Sequence, residues 1–139
     1  LKKFGQSSID PEIAFTNNKP TFLEFYADWC EVCKEMAPKV DDIKNQYEKD
    51  INFVFLNVDN PKCEKYRRNF NDNGIPQINI FDNDSKLELT FIGKQEEETI
   101  KESLDNLYDK FRGDSQILNS EFSIIKANKN YQSSPRSHG

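Results

Sequence analysis

The chain has 139 residues, 35% of them hydrophobic and 31% charged, which is the size of one domain with a strongly polar surface. With 19 Lys and Arg against 24 Asp and Glu, its net charge of −5 excludes a general affinity for nucleic acid or anionic lipid. No stretch approaches the roughly 20 apolar residues of a membrane span, and three cysteines are too few for a disulfide-stapled scaffold.

The sequence opens on Leu1 rather than Met and reads as a processed or excised piece, with any preceding signal, anchor or tag out of sight. It contains 11 Phe, 5 Tyr and 1 Trp, the makings of an aromatic core. Residues 12–16 suggest a short helix. Residues 21–27 (TFLEFYA) form an apolar run of strand length, expected to be buried on both faces. Val32, Met36, Val40, Ile43 and Tyr47 then recur at helical spacing. Residues 52–58 (NFVFLNV) predict a second buried strand, and 61–70 a short polar helix closed by the turn-rich NDNG. Residues 77–82 and 87–92 flank Asn83-Asp84-Ser85, so they predict an antiparallel hairpin. A last amphipathic helix is expected over 96–112, with Ile100, Leu104, Leu107, Tyr108 and Phe111 on one side. From Gly113 the composition turns to Asn, Ser, Lys and Gln, broken only by Phe122, Ile124 and Ile125. The expected division is therefore a mixed α/β domain over 7–112 and a polar, mobile extension over 113–139.

Chemistry concentrates where the first strand gives way to the first long helix, in the run ADWCEVCKEMAP. Cys30 and Cys33 share one face of the first helical turn, about 5–6 Å apart at Cα, within reach of a disulfide. The helix N-terminus offers Cys30 unpaired N–H groups and the positive end of the dipole, which favour a thiolate. Cys33 lies one turn deeper, where it suits resolving a mixed disulfide rather than starting one. Half of a zinc site is the rival reading, but only Cys63 and His138 remain to complete it. A pair of structural cysteines is the other. The strand-to-helix setting favours redox chemistry over both.

Trp29-Cys30-Glu31-Val32-Cys33, the following Pro38, the carboxylate Glu24 and Gly74-Ile75-Pro76 together resemble thioredoxin, across nearly all of residues 10–112. The longer run EFYADWCEVCKEMAP, LNVDN at 56–60 and the closing SHG are similar to a narrower group, the thylakoid thioredoxin-like proteins of cyanobacteria and chloroplasts, the TxlA type. That resemblance implies a thioredoxin fold, with a central mixed sheet flanked by helices. It implies reduction of protein disulfides with no bound cofactor, on the lumenal or periplasmic side of a membrane, behind an N-terminal anchor. It also implies a role in cytochrome assembly and re-reduction by a membrane thiol-electron carrier of the CcdA type. A cytoplasmic location is the alternative.

By the same resemblance, Cys30 is the attacking thiolate and Cys33 the resolving thiol. Trp29 forms an apolar wall beside them. Pro76 is a cis proline facing the disulfide, where an ordinary trans turn is the alternative, and the backbone of Ile75 pairs with an extended substrate. Glu24, mid-strand between Leu23 and Phe25, is expected to be buried with a raised pKa and to accept the Cys33 proton through water. Its plainer reading is a strand residue that reaches solvent.

Five positions depart from the thioredoxin pattern. Glu31-Val32 replaces Gly-Pro, and a negative charge beside Cys30 would make the couple more reducing, unless solvent or Lys34 screens it. Phe55 stands where a buried Lys would partner the carboxylate, so Glu24 is expected to be neutral more often. Asp72 replaces an apolar residue in the loop before Pro76. Cys63 reads as a small buried hydrophobe rather than a sensor thiol, and Lys65-Tyr66-Arg67-Arg68 as a solvated face rather than an anion site. Thiol–disulfide exchange in the reducing direction is the expected function. A disulfide oxidase or isomerase, or a non-catalytic binding module on the same fold, are its rivals.

Overall fold

Six residues from Thr21 to Tyr26 form the strand on which the rest is organised, and all six are buried. The computed structural model describes residues 1–70 and 74–119, with side chains as far as Lys110. In chain order the elements are α1 (Lys2–Ser7), α2 (Pro11–Ala14), β1 (Thr21–Tyr26), α3 (Glu31–Tyr47) and β2 (Asn52–Asn57). A 3-10 turn (Pro61–Cys63) leads into α4 (Glu64–Asn69), followed by β3 (Gln77–Phe81), β4 (Leu87–Ile92) and α5 (Glu97–Asn119). The sheet order is β2-β1-β3-β4. β1 and β2 run parallel, joined by the α3 crossover, whereas β3 is antiparallel to β1 and to β4. A four-stranded mixed sheet flanked by helices is the architecture the sequence led us to expect.

Residues 1–97 form one compact unit. One side of its sheet carries Leu23, Phe25, Val54, Leu56 and Phe81, packed with Ala14 and Cys63. Alternation along β1 turns Phe22, Glu24 and Tyr26 to the other side, with the aromatic cluster Phe53, Phe55 and Phe4. The buried stripe of α3 is Cys33, Met36, Val40 and Ile43, and the helix lines a groove together with Phe4 through Ala37, Pro38 and Asp41. Val32 and Tyr47 only border the stripe. Pro38 lies inside α3, where it has no N–H to give its turn, yet the helix continues to Tyr47.

The N-terminus differs from the expectation. The domain was expected to start at residue 7, but Lys2–Ser7 is helical and Phe4 is buried at 3% exposure. Phe4 stacks on Phe55 with centroids 4.2 Å apart and meets Tyr26 edge-on at 5.6 Å. Just after it, Ile9 N–H donates to Phe53 O (3.1 Å) and Ser8 Oγ accepts from Phe55 N–H (2.9 Å), so this segment covers the outer edge of β2.

Asn52 ties the start of β2 to the turn before β1. Its amide and that of Asn17 exchange hydrogen bonds at 2.9 Å, and Asn52 Nδ2 also donates to Ala14 O at 3.0 Å and Thr21 Oγ1 at 3.1 Å. At 2% exposure no solvent replaces these partners. Asn52→Leu is expected to cost about 2–3 kcal/mol in urea unfolding, and a change within the scatter would show the network to be dispensable.

The hairpin forms as expected, closed by Asp82 N–H to Lys86 O (2.8 Å), with Ser85 in a left-handed conformation (φ 64°). Its outer strand is less buried than its apolar sequence suggests, since Leu87, Leu89 and Ile92 are all exposed. Cys63 is buried within the first cluster, and burial pushes its thiol pKa up, which fits the small-hydrophobe reading. The basic run is engaged rather than open: Lys65 reaches Glu12 at 3.7 Å, Arg68 reaches Glu64 at 3.3 Å, and Arg67 donates to Val58 O at 3.3 Å.

α5 starts one residue later than expected and continues past Arg112 to Asn119. Ile100, Leu104 and Leu107 form its buried stripe. Among the described residues, no helix is long and apolar enough to cross a membrane. Asp72, the side chain of Phe111 and residues 120–139 lie outside what the structure describes.

Candidate redox site

β1 ends in the turn Ala27–Asp28–Trp29, closed by Cys30 N–H donating to Ala27 O at 3.2 Å. Cys30 is the N-cap of α3, and its Sγ accepts from the Cys33 N–H at 3.2 Å. A capping sulfur takes one of the four amide hydrogens that a helix start leaves without partners. The same hydrogen and the helix dipole favour negative charge on Cys30 once the pair is reduced. Cys30 and Cys33 form a disulfide with Cα atoms 5.2 Å apart. Cys30 is 6% exposed and Cys33 fully buried, so an incoming sulfur reaches Cys30 first.

Trp29 is 64% exposed, and its indole N–H donates to Asp59 Oδ2 at 2.8 Å. Asp59 is held in turn by Asn57, whose Oδ1 accepts the Asp59 N–H at 2.9 Å. The ring therefore stands as a fixed apolar face beside Cys30. Sequence reasoning missed Asp59, although it lies in the LNVDN run. The available signal was the indole N–H, which needs an acceptor when held at a surface.

Gln77 pairs with Phe25 in the antiparallel register, which places the start of β3 at the same end of the sheet as the exit of β1. Ile75-Pro76 therefore lies at the Cys30 end, and the bond between these two residues is cis. Pro76 is buried and Ile75 half-buried. Pro76 O accepts the Gly93 N–H at 2.8 Å, tying the end of β4 to this rim. Gly93 has φ 85°, a conformation that a side chain would strain, so Gly suits this corner. Ile92, beside it, has its Cγ2 3.6 Å from where a Cβ on Gly74 would sit.

Glu24 is 0% exposed at the centre of β1. Its strand neighbours are Phe55 on β2 and Ile78 on β3, and among the described residues neither carboxylate oxygen has a hydrogen-bond partner. Burial pushes its pKa up from 4.5 to about 8. The solvent-reaching alternative for Glu24 is thereby ruled out, and the apolar residue at position 55 leaves the acid without a cation.

Two exposed ion pairs involve the first turns of α3. Glu31 and Lys34, both largely exposed, meet at 3.1 Å, and Glu35 and Lys94 at 2.6 Å. The Lys94 ammonium holds the Glu35 carboxyl below its usual range, and Glu35 raises the pKa of Lys94. Lys34 turns to Glu31, so the negative charge beside Cys30 is partly offset. Glu31→Gln removes a charge that disfavours the thiolate. The reduction potential is therefore expected to rise, by only about 10 mV because an exposed charge is worth a few tenths of a kcal/mol. A lower potential in the variant, measured against glutathione, would contradict that sign.

The thioredoxin family profile matches residues 3–106. The chain is 38% identical over 144 residues to the chloroplastic thioredoxin-like protein HCF164 of Oryza sativa, covering 100% of this chain and 54% of the relative. To HCF164 of Arabidopsis thaliana it is 42% identical over 107 residues, covering 77% and 41%. To the thiol:disulfide interchange protein TxlA of Synechococcus elongatus it is 32% identical over 146 residues, covering 99% and 74%. The chain thus spans about half the length of the HCF164 proteins. Among solved structures, the thioredoxin Deadhead of Drosophila melanogaster superposes with a TM-score of 0.61 at 24% identity, over 70% of this chain and 89% of that one. Fasciola hepatica thioredoxin gives the same score at 23% identity, over 70% and 90%. The profile spans the sheet and the Cys30–Cys33 disulfide at the head of α3, and the chain belongs to the thioredoxin family.

Proposed function

We propose that this chain reduces disulfides of protein substrates, with Cys30 as the attacking thiolate and Cys33 as the resolving thiol. The observation that carries this reading is the position of Cys30, whose Sγ caps α3 while Cys33 is fully buried behind it. In the first step the Cys30 thiolate attacks one sulfur of the target disulfide. A Cys30–target bond forms, the target disulfide breaks, and its other sulfur leaves as a thiolate. In the second step Cys33 gives up its proton to an ionised Glu24 and attacks Cys30 Sγ. The Cys30–Cys33 bond forms, the mixed disulfide breaks, and the target leaves with both electrons of the dithiol. Target thiolates take their protons from solvent.

Substrate recognition is assigned to the rim. Trp29 supplies an apolar face, Pro76 closes the opposite side without a competing N–H, and the backbone of Ile75 pairs with an extended segment around the target cysteine. Recognition through backbone and shape suits a reductant with many targets. Re-reduction of the spent disulfide requires an electron donor, for which we assign a membrane thiol-electron carrier of the CcdA type. From the resemblance of its motifs to the thylakoid thioredoxin-like group, we assign the chain a lumenal or periplasmic working side, membrane anchoring through a segment outside these residues, and service to cytochrome assembly; its relatives are named a chloroplastic thioredoxin-like protein and a thiol:disulfide interchange protein.

The test is insulin reduction with dithiothreitol as donor, followed as turbidity. The folded chain is expected to accelerate precipitation well above the dithiothreitol background, and Cys30→Ser to return it to that background. A folded parent chain no faster than dithiothreitol alone would leave a binding module as the better reading.

A further inference from the structure

We propose that α1 is an apolar seal over Glu24, with Phe4 as the positioning residue that keeps water from the carboxylate and thereby holds its proton. The inference rests on Glu24 being the acceptor of the Cys33 proton. It assigns to the N-terminal helix a control over when that acceptance happens.

The geometry runs inward from the surface. A groove of about 290 Å3 is lined by Leu1, Lys3, Phe4, Ala37, Pro38 and Asp41, between α1 and α3. Lys3 and Asp41 bridge it at 3.8 Å. Behind the groove, Phe4 is 3% exposed, flat on Phe55 and edge-on to Tyr26. Phe55 is the register partner of Glu24, and Tyr26 lies two residues on along the same side of β1. One aromatic ring therefore separates water in the groove from the immediate neighbours of a carboxyl group that has no partner.

The other groups on that side cannot take over the role of the seal. β2 contributes Phe53 and Phe55, and β3 contributes Ile78 and Ile80, none of which titrates. The titratable neighbours are Tyr26 on β1 and Cys33 on α3, with Lys3 and Asp41 engaged with each other at the groove. Among the described residues, no cation partners the Glu24 carboxylate, and Lys3 is turned to Asp41. Exclusion of water is then what keeps the acid protonated, and water is what Phe4 controls. At neutral pH the sealed acid stays largely protonated and accepts the Cys33 proton in only a minority of molecules. Displacing α1 admits water, favours the carboxylate and speeds target release.

The test uses the full chain labelled with 13C at Glu side-chain carboxyls, with the Glu24 signal assigned by its loss in Glu24→Gln. The parent is expected to titrate near 8. Phe4→Ala is expected to lower that midpoint by a unit or more, whereas Phe4→Leu, which keeps an apolar plug, is expected to stay close to the parent. If Phe4→Ala fails to fold, Phe4→Val serves in its place, with a smaller shift of the same sign. A midpoint that does not move in folded Phe4→Ala or Phe4→Val overturns the seal, as does a Phe4→Leu shift equal to that of Phe4→Ala. A companion measurement follows release of a mixed disulfide at pH 7, expected to be about fivefold faster if the midpoint falls by one unit. A midpoint that falls while release is unchanged supports the seal and overturns Glu24 as the proton acceptor, so the two readings fail separately.

Discussion

Glu24→Gln is expected to flatten the pH dependence of stability. Relative to the parent chain, the variant should gain about 1.4 kcal/mol per pH unit between the ordinary carboxylate range and about 8. The sign follows from proton counting. In the unfolded chain Glu24 titrates at its ordinary 4.5, and in the folded chain burial raises it to about 8. Between those values the unfolded state has released a proton that the folded state retains, so rising pH favours unfolding. The full stability is present below 4.5 and is lost as pH climbs through 8, about 5 kcal/mol in all. A buried Gln amide brings its own unpaired groups, so the informative quantity is the slope of the difference rather than its offset. Urea unfolding of both proteins from pH 4 to 9 measures it. Parallel profiles would show that Glu24 is not held neutral by the fold.

Cys33→Ser is expected to stop the reaction halfway, with the chain joined to its target through Cys30. Removing the resolving thiol leaves the first exchange intact and eliminates the internal nucleophile for the second. On a non-reducing gel the variant should accumulate a one-to-one adduct with a disulfide-bearing substrate, dispersed by added thiol. Cys30→Ser should form no such adduct, and its turnover should fall by roughly a hundredfold or more, because Cys33 is fully buried and a hydroxyl is a far weaker nucleophile. An adduct formed by Cys30→Ser but not by Cys33→Ser would reverse the two roles. The remaining thiol, Cys63, is buried in the layer opposite Glu24 and should form no adduct in either variant.

Much of this is legible in the sequence. β1, α3, β2 and the hairpin carry strong periodicities or long apolar runs, and each formed within a residue or two of its expected place. The cysteine pair was legible because strand, turn and helix start are adjacent in sequence. α1 was not, because KKFGQS has one large apolar residue and a glycine and is too short to persist alone. It is held by Phe4 stacking on a strand more than fifty residues away, a contact no local pattern reveals. For the same reason the Trp29–Asp59 hydrogen bond and the Glu35–Lys94 ion pair, which join residues 30 and 59 positions apart, were not foreseen. Glu24 falls between these cases. Its flanking residues announced burial, and Phe55 suggested a missing cation, but only the register shows that Phe55 is its direct neighbour.

The basic cluster illustrates the converse. Four consecutive residues with three cations look like a site in one dimension. In the fold each cation has a carboxylate, a ring or a carbonyl to meet. The exposed apolar residues of β4 make a similar point, since its sequence cannot say which strand forms the sheet edge.

The central claim, that the pair works as a reductant, is tested most directly by the reduction potential of Cys30–Cys33, equilibrated against glutathione with Cys63→Ser as a control. The account predicts a value near or below about −270 mV, the level of thioredoxin. A value near about −180 mV or higher, the level of a disulfide isomerase, would contradict it and assign the site to forming or rearranging disulfides instead.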